Sequence, residues 1–104
     1  MKACVLDWMK SQMPDSGEEI FEQIYSEYKT TATTLLQKWK DALASNADEK
    51  TVDAIAHTLK GNAAMVGDQE ISQLAQSWRE AVKIKDLQRS DEILRKLEEL
   101  VGLL

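Results

Sequence analysis

The chain has 104 residues, 43% hydrophobic and 30% charged, with four glycines and one proline. That is one domain with enough apolar surface for a core; it excludes a disordered tail, a collagen-like fibre and a turn-rich β-sandwich. Thirteen basic against eighteen acidic residues give a net charge of −5, with no basic stripe for a nucleic-acid backbone or an anionic membrane.

Val5, Leu6, Trp8 and Met9 predict a short amphipathic helix within residues 1–13, stopped by Pro14. Asp7 interrupts its apolar patch, so the segment does not read as a secretory signal. Cys4 stands alone and can form no internal disulfide, which suits a reducing, cytoplasmic compartment. No apolar run approaches the ~18 residues of a membrane span.

Asp15 and Ser16 offer capping oxygens for a second helix, with Glu18 and Glu19 in its first turn, where the helix dipole favours negative charge. Phe21, Tyr25, Tyr28, Ala32, Leu35, Trp39 and Ala42 alternate spacings of four and three, one stripe of a long helix to about Ala44. Thr30, Thr31, Thr33 and Thr34 weaken it, but the stripe stays in phase across them. Asn46 and Glu49 resemble a capping box, and the helix they start runs to about Val66, with Gly67 placed to end it in a left-handed conformation.

Asp68 caps a further helix that buries Ile71, Leu74, Ala75, Trp78 and Val82. A last one starts near Asp86 with the stripe Leu87, Ile93, Leu94, Leu97, Leu100 and Val101. Trp8, Trp39 and Trp78 read as core or cap residues. The expected fold is all-α: one domain over 1–104, an antiparallel up-down four-helix bundle at 16–104 with the N-terminal helix as a cap.

The single histidine lies off the core stripe. Val52, Ile55, Leu59, Ala63 and Val66, flanked by Ala56, cluster on one side of their helix, and His57 falls roughly 150° from their centre at 100° per residue. Gly61 and Ala64 share its face and Lys60 sits at the edge. Glycine inside a helix costs about 1 kcal/mol relative to alanine. Its presence beside an exposed imidazole is explained if a bulky group must approach the ring, with Lys60 offering positive charge to a phosphoryl group. Other uses of the histidine fail on counting. Asp53 and His57 at i, i+4 do not close a metal site, a di-iron bundle needs two histidines, and a hydrolase lacks a nucleophilic serine or second acid.

The string Ala56-His57-Thr58-Leu59-Lys60-Gly61-Asn62-Ala63-Ala64-Met65-Val66-Gly67 closely resembles the signature of histidine phosphotransfer (HPt) domains, Ala-His-x-Leu-Lys-Gly followed by small residues, an apolar position and Gly. The order of elements from Ser16 to the C-terminus resembles that family as well. The resemblance implies a phosphocarrier of two-component phosphorelays, without ATP-dependent kinase activity of its own. His57 would accept a phosphoryl group and exchange it with an aspartate of a response-regulator receiver domain, with Lys60 compensating charge and Gly61 giving access. The partners implied are that receiver and a sensor or hybrid histidine kinase; magnesium would sit on the receiver, so the chain needs no cofactor or metal of its own. The chemistry suits imidazole, which is largely neutral and nucleophilic near pH 7, and phosphoryl transfer asks mainly for positioning and charge compensation.

One position departs from the family. A Glu or Gln on the following helix often accepts a hydrogen bond from the inner ring nitrogen; by spacing that position is Arg79, which cannot accept. Arg79 is therefore left between a contact to the phosphoryl oxygens or the partner and a solvated side chain paired with Glu80 or Gln76. A register slip of one would give the orienting role to Glu80. For partner docking, Ala54 and Ala64 are candidates with some of Leu6, Met9, Ile20 and Ile24, the two isoleucines reading equally well as core. The alternative function is a non-transferring adaptor that binds a receiver or other signalling protein. A monomer is expected, and Met1 with the Leu103-Leu104 finish mildly favours a free-standing protein over a module of a larger kinase.

Overall fold

The computed structural model describes all residues 1–104 and is entirely helical. Its five helices are α1 (Ala3–Gln12), α2 (Glu18–Ala44), α3 (Glu49–Met65), α4 (Gln69–Lys83) and α5 (Leu87–Gly102). The molecule measures 46 × 21 × 21 Å; α2, at 1.5 Å per residue, spans about 40 Å of that length. α2 packs on α3, α3 on α4, α4 on α5 and α5 back on α2, while α1 packs on α2.

The expected stripes supply the core. Phe21, Tyr25, Tyr28, Ala32, Leu36 and Trp39 of α2 face Val52, Ala56, Leu59 and Ala63 of α3, Ile71, Ala75, Trp78 and Ala81 of α4, and Ile93, Leu97 and Val101 of α5 in one buried cluster. Trp39 and Trp78 meet edge to face with ring centroids 4.6 Å apart, and Trp8 is half-buried on α1. Some positions shift. Leu36 rather than Leu35 is fully buried, and Leu74 and Val82 are half-buried while their neighbours Ser72 and Ala81 go inside. Leu87 leaves the core altogether, 68% exposed at the first position of α5, because the stripe there starts from Ser90.

The reversals between helices repeat one device. Asn46, Gly67 and Lys85 all have positive φ, of 55°, 77° and 58°. The next residue's N–H in each case reaches back to the closing turn: Ala47 to Ala42 O, Asp68 to Ala63 O and Asp86 to Ala81 O, all at 2.9 Å. These are Schellman closures, which satisfy carbonyls the helix leaves open. An aspartate then caps the following helix: Asp48 accepts from Thr51 N, Asp68 from Ile71 N and Asp86 from Arg89 N. Asn46 is therefore the left-handed residue closing α2, not the cap of α3. Asparagine serves either role, and here the tight closure needs φ > 0 while Asp48 has the better acceptor. Neither Asp15 nor Ser16 caps α2 by side chain; its N-cap is Gly17, with Glu18 and Glu19 answering the dipole as expected.

α1 is fastened to the α3–α4 reversal. Asp68, fully buried, accepts from Lys2 Nζ at 2.7 Å and from Tyr28 Oη at 2.7 Å as well as capping α4. Burial first, and then this hydrogen bond to a carboxylate, push the Tyr28 phenol far above its ordinary pKa. For Lys2, burial opposes the charge, but hydrogen bonds to Asp68 and Glu70 outweigh it and raise the pKa. The Trp8 side chain lies where a Cβ on Gly67 would be, so that glycine serves both the left-handed turn and the close approach of α1.

Candidate functional site

α3 carries the site because only half of it is needed for the core. Val52, Ala56, Leu59 and Ala63 are buried, whereas Ala54, His57, Thr58, Gly61, Ala64 and Met65 are exposed. The helical period thus puts the imidazole on the outer face. A Cβ built on Gly61 meets no atom within 4 Å, so nothing in this fold requires a glycine there. Lys60 is half-buried beside that face and enters none of the molecule's ion pairs. Helical neighbours three apart lie side by side, so its long side chain shares the surface around His57.

The inner edge of the ring is held from α4. Arg79 Nη1 lies 3.1 Å from His57 Nδ1 and also donates to Gln76 Oε1 at 3.2 Å. Its Nε and Nη2 grip both oxygens of Asp53, at 2.8 and 3.1 Å, a bidentate pair of the geometry guanidinium favours. The hydrogen bond from Arg79 holds the Asp53 carboxyl below the usual carboxylate range, and Asp53 in turn raises the guanidinium. Asp53 precedes His57 by one turn of α3, so carboxylate, guanidinium and imidazole form a chain across two helices.

That arrangement bears out the expected pairing of Arg79 with Gln76 and corrects the rest of that reading. It is neither solvated nor paired with Glu80, and all three of its guanidinium nitrogens are engaged by Asp53, Gln76 and Nδ1. Glu80 is exposed and bonded instead by Gln76 Nε2, which leaves no orienting role for it at the ring. The spacing from His57 correctly brought position 79 to the inner ring nitrogen; what the sequence did not show was Asp53 as its anchor, although Asp53 stands one helical turn before His57. The Asp53 carboxylate is spent on this pair.

The sequence model of the Hpt domain family matches residues 23–104, which is most of the chain. The chain belongs to the Hpt domain family. Hpt domains are helical bundles that carry phosphoryl groups in two-component signalling and are not kinases themselves. No curated protein and no solved structure matches the chain. No helix of this Hpt domain is long and apolar enough to cross a membrane.

The docking candidates divide. Ala54 and Ala64 are exposed on the histidine face, and Ile20 is 47% exposed near the start of α2. Ile24 is half-buried and lines a groove between α2 and α3 with Glu27, Thr31, Asn62 and Met65. Leu6 is half-buried, but Met9 is fully buried; it is core and can meet no partner, because α1 turns that residue onto the bundle. Met65, 71% exposed and next to Ala64, is the apolar surface residue that the stripe argument passed over. Its signal was available: a methionine one residue past Ala64 and off the core phase.

Proposed function

We propose that this Hpt domain is a phosphocarrier that accepts a phosphoryl group on Nε2 of His57 and exchanges it with the aspartate of response-regulator receiver domains. The observation that carries the reading is one exposed imidazole whose outer nitrogen makes no hydrogen bond in the protein. In-line transfer needs a bulky acyl phosphate to come within bonding distance of that nitrogen. The open space at Gly61 supports an access role for it, and the unpaired ammonium of Lys60 supports charge compensation on the equatorial oxygens.

The receiver would hold the magnesium and most of the transfer machinery, and a sensor or hybrid histidine kinase would feed the relay. Ala54, Ala64 and Met65, with Ile24 and Ile20 at the margin, form the apolar ground on which a receiver would settle. The whole chain acts as one monomeric unit in the cytoplasm, where receivers are met. Short links of three or four residues between successive helices of α2–α5 support an antiparallel up-down arrangement of those four, with α1 as its cap.

The test is incubation with a phosphorylated receiver domain. A phosphocarrier gains an acid-labile, base-stable phosphate, and His57→Gln abolishes it. Lys60→Ala is expected to slow transfer or shorten the phosphorylated lifetime by roughly tenfold, the worth of one charge-assisted contact. The departure at Arg79 supports one alternative, an adaptor that binds receivers without transfer; such a protein would form the complex and stay unlabelled.

A further inference from the structure

The contact between Arg79 and His57 has only one chemical sense. A guanidinium carries hydrogens on every nitrogen and no lone pair to offer. At 3.1 Å from Nδ1, Nη1 must donate and Nδ1 must accept. A neutral ring in this contact therefore carries its hydrogen on Nε2, and a doubly protonated ring would set N–H against N–H. A Glu or Gln acceptor at the same place would select the opposite tautomer, with the hydrogen on Nδ1 and a free lone pair on Nε2. Nor is Arg79 a loose neighbour: its side chain is 16% exposed, and Asp53 and Gln76 hold it from α3 and α4.

We propose that Arg79 is a positioning residue that fixes His57 as the Nε2–H tautomer at rest and keeps Nδ1 unprotonated once Nε2 is phosphorylated, so that the site loads slowly and stores its phosphoryl group. This rests on His57 being the phosphoacceptor. At rest the outward nitrogen's lone pair is tied up by the ring's aromatic system and its N–H bond, so it cannot attack. For loading, Nη1 leaves Nδ1, keeping Gln76 as its partner, while Nδ1 takes a proton from water and Nε2 gives one to water. The freed Nε2 lone pair forms the N–P bond as the P–O bond of the aspartyl phosphate breaks, and the carboxylate leaves with that electron pair. Nδ1 then returns its proton to water and Arg79 donates to it again.

The loaded state benefits from the same contact. Breaking the N–P bond releases neutral imidazole when Nδ1 is protonated but an imidazolide anion, a much poorer leaving group, when it is not. A donor held against Nδ1 opposes the protonation that makes release easy. One hydrogen bond thus slows entry and guards the product, whereas an acceptor at position 79 does the reverse.

The experiment is long-range proton–nitrogen NMR of the full chain near pH ~8, where the free ring is neutral, on the native protein, Arg79→Gln and Arg79→Lys. Phosphorylation by potassium phosphoramidate is followed on the same samples. The native ring should show its hydrogen on Nε2. Arg79→Lys, still only a donor, should keep that pattern and the native lifetime. Arg79→Gln, able to accept, should raise the Nδ1–H share, load faster and lose phosphate faster, each by about threefold to tenfold, the factor set by one hydrogen bond of ordinary net strength. A native ring carrying its hydrogen on Nδ1 overturns the proposal, and so does an Arg79→Gln protein with unchanged tautomer and lifetime. A chain that shows the Nε2–H ring yet takes phosphate from neither phosphoramidate nor a receiver overturns the storage half together with the phosphocarrier reading, and the spectra separate that failure from a mistaken tautomer.

Discussion

Gly61 is the residue at which stability and the proposed transfer pull apart. The helix would be better with almost anything else there, and the surrounding space is open. Gly61→Ala is therefore expected to stabilise the domain by about 1 kcal/mol, the propensity difference in a helix interior, read as a raised midpoint in urea. Gly61→Gln should keep the fold but slow phosphoryl uptake by His57 by tenfold or so, since a long side chain one turn away crowds the approach to Nε2. Uptake at the native rate in Gly61→Gln would show that the glycine does not serve access. The outward placement of His57 and Gly61, with Lys60 at the edge, was legible from helical phase alone, because 100° per residue sorts an outer face from an inner one without any coordinates. The Asp53–Arg79 pair was not, because a contact between residues 26 positions apart depends on how α4 lies against α3.

At the scale of elements, the reversals decide where each helix stops. Gly67 and Lys85 occupy equivalent left-handed positions, but Gly67 is pressed against Trp8 of α1 whereas Lys85 is exposed. Gly67→Ala adds both backbone strain and a collision with Trp8, so a loss of about 2–4 kcal/mol is expected by chemical denaturation. Lys85→Gly should go the other way, stabilising by up to about 1 kcal/mol, since it relieves a side chain held at φ 58°. If Gly67→Ala costs no more than Lys85→Gly gains, the α1 contact contributes nothing. Gly67 was readable as a terminator because glycine after an apolar stripe has few other uses. Asn46 and Lys85 were not, since asparagine also caps helices and lysine carries no turn signal; the need to bring the next helix back onto the core imposes their conformation. The long stripe of α2 survived its four threonines for a related reason: Ala32 between them is fully buried, and packing outweighs a few tenths of a kcal/mol of propensity.

For the whole molecule, Asp68 is the point where three elements are tied. It caps α4, receives Lys2 from the residue before α1, and receives Tyr28 from α2, all with no exposure to solvent. Asp68→Ala would leave the buried Tyr28 phenol without its partner, reduce Lys2 to its contact with Glu70 and uncap a helix; a loss of about 3–5 kcal/mol is expected in urea unfolding. A loss under about 1 kcal/mol would mean that the tie is incidental. The cap itself was legible from sequence, the tie was not.

By itself the sequence determined the helices, their buried faces, the outward histidine and the family signature around it, because these follow from short-range periodicity and residue chemistry along one element. Only the tertiary structure decided which partner each polar side chain found: Asp53 for Arg79, Arg79 for the inner nitrogen of His57, Lys2 and Tyr28 for Asp68. Such pairs depend on the relative placement of separate helices, and that placement is set by the packing of the whole core rather than by any local run of residues.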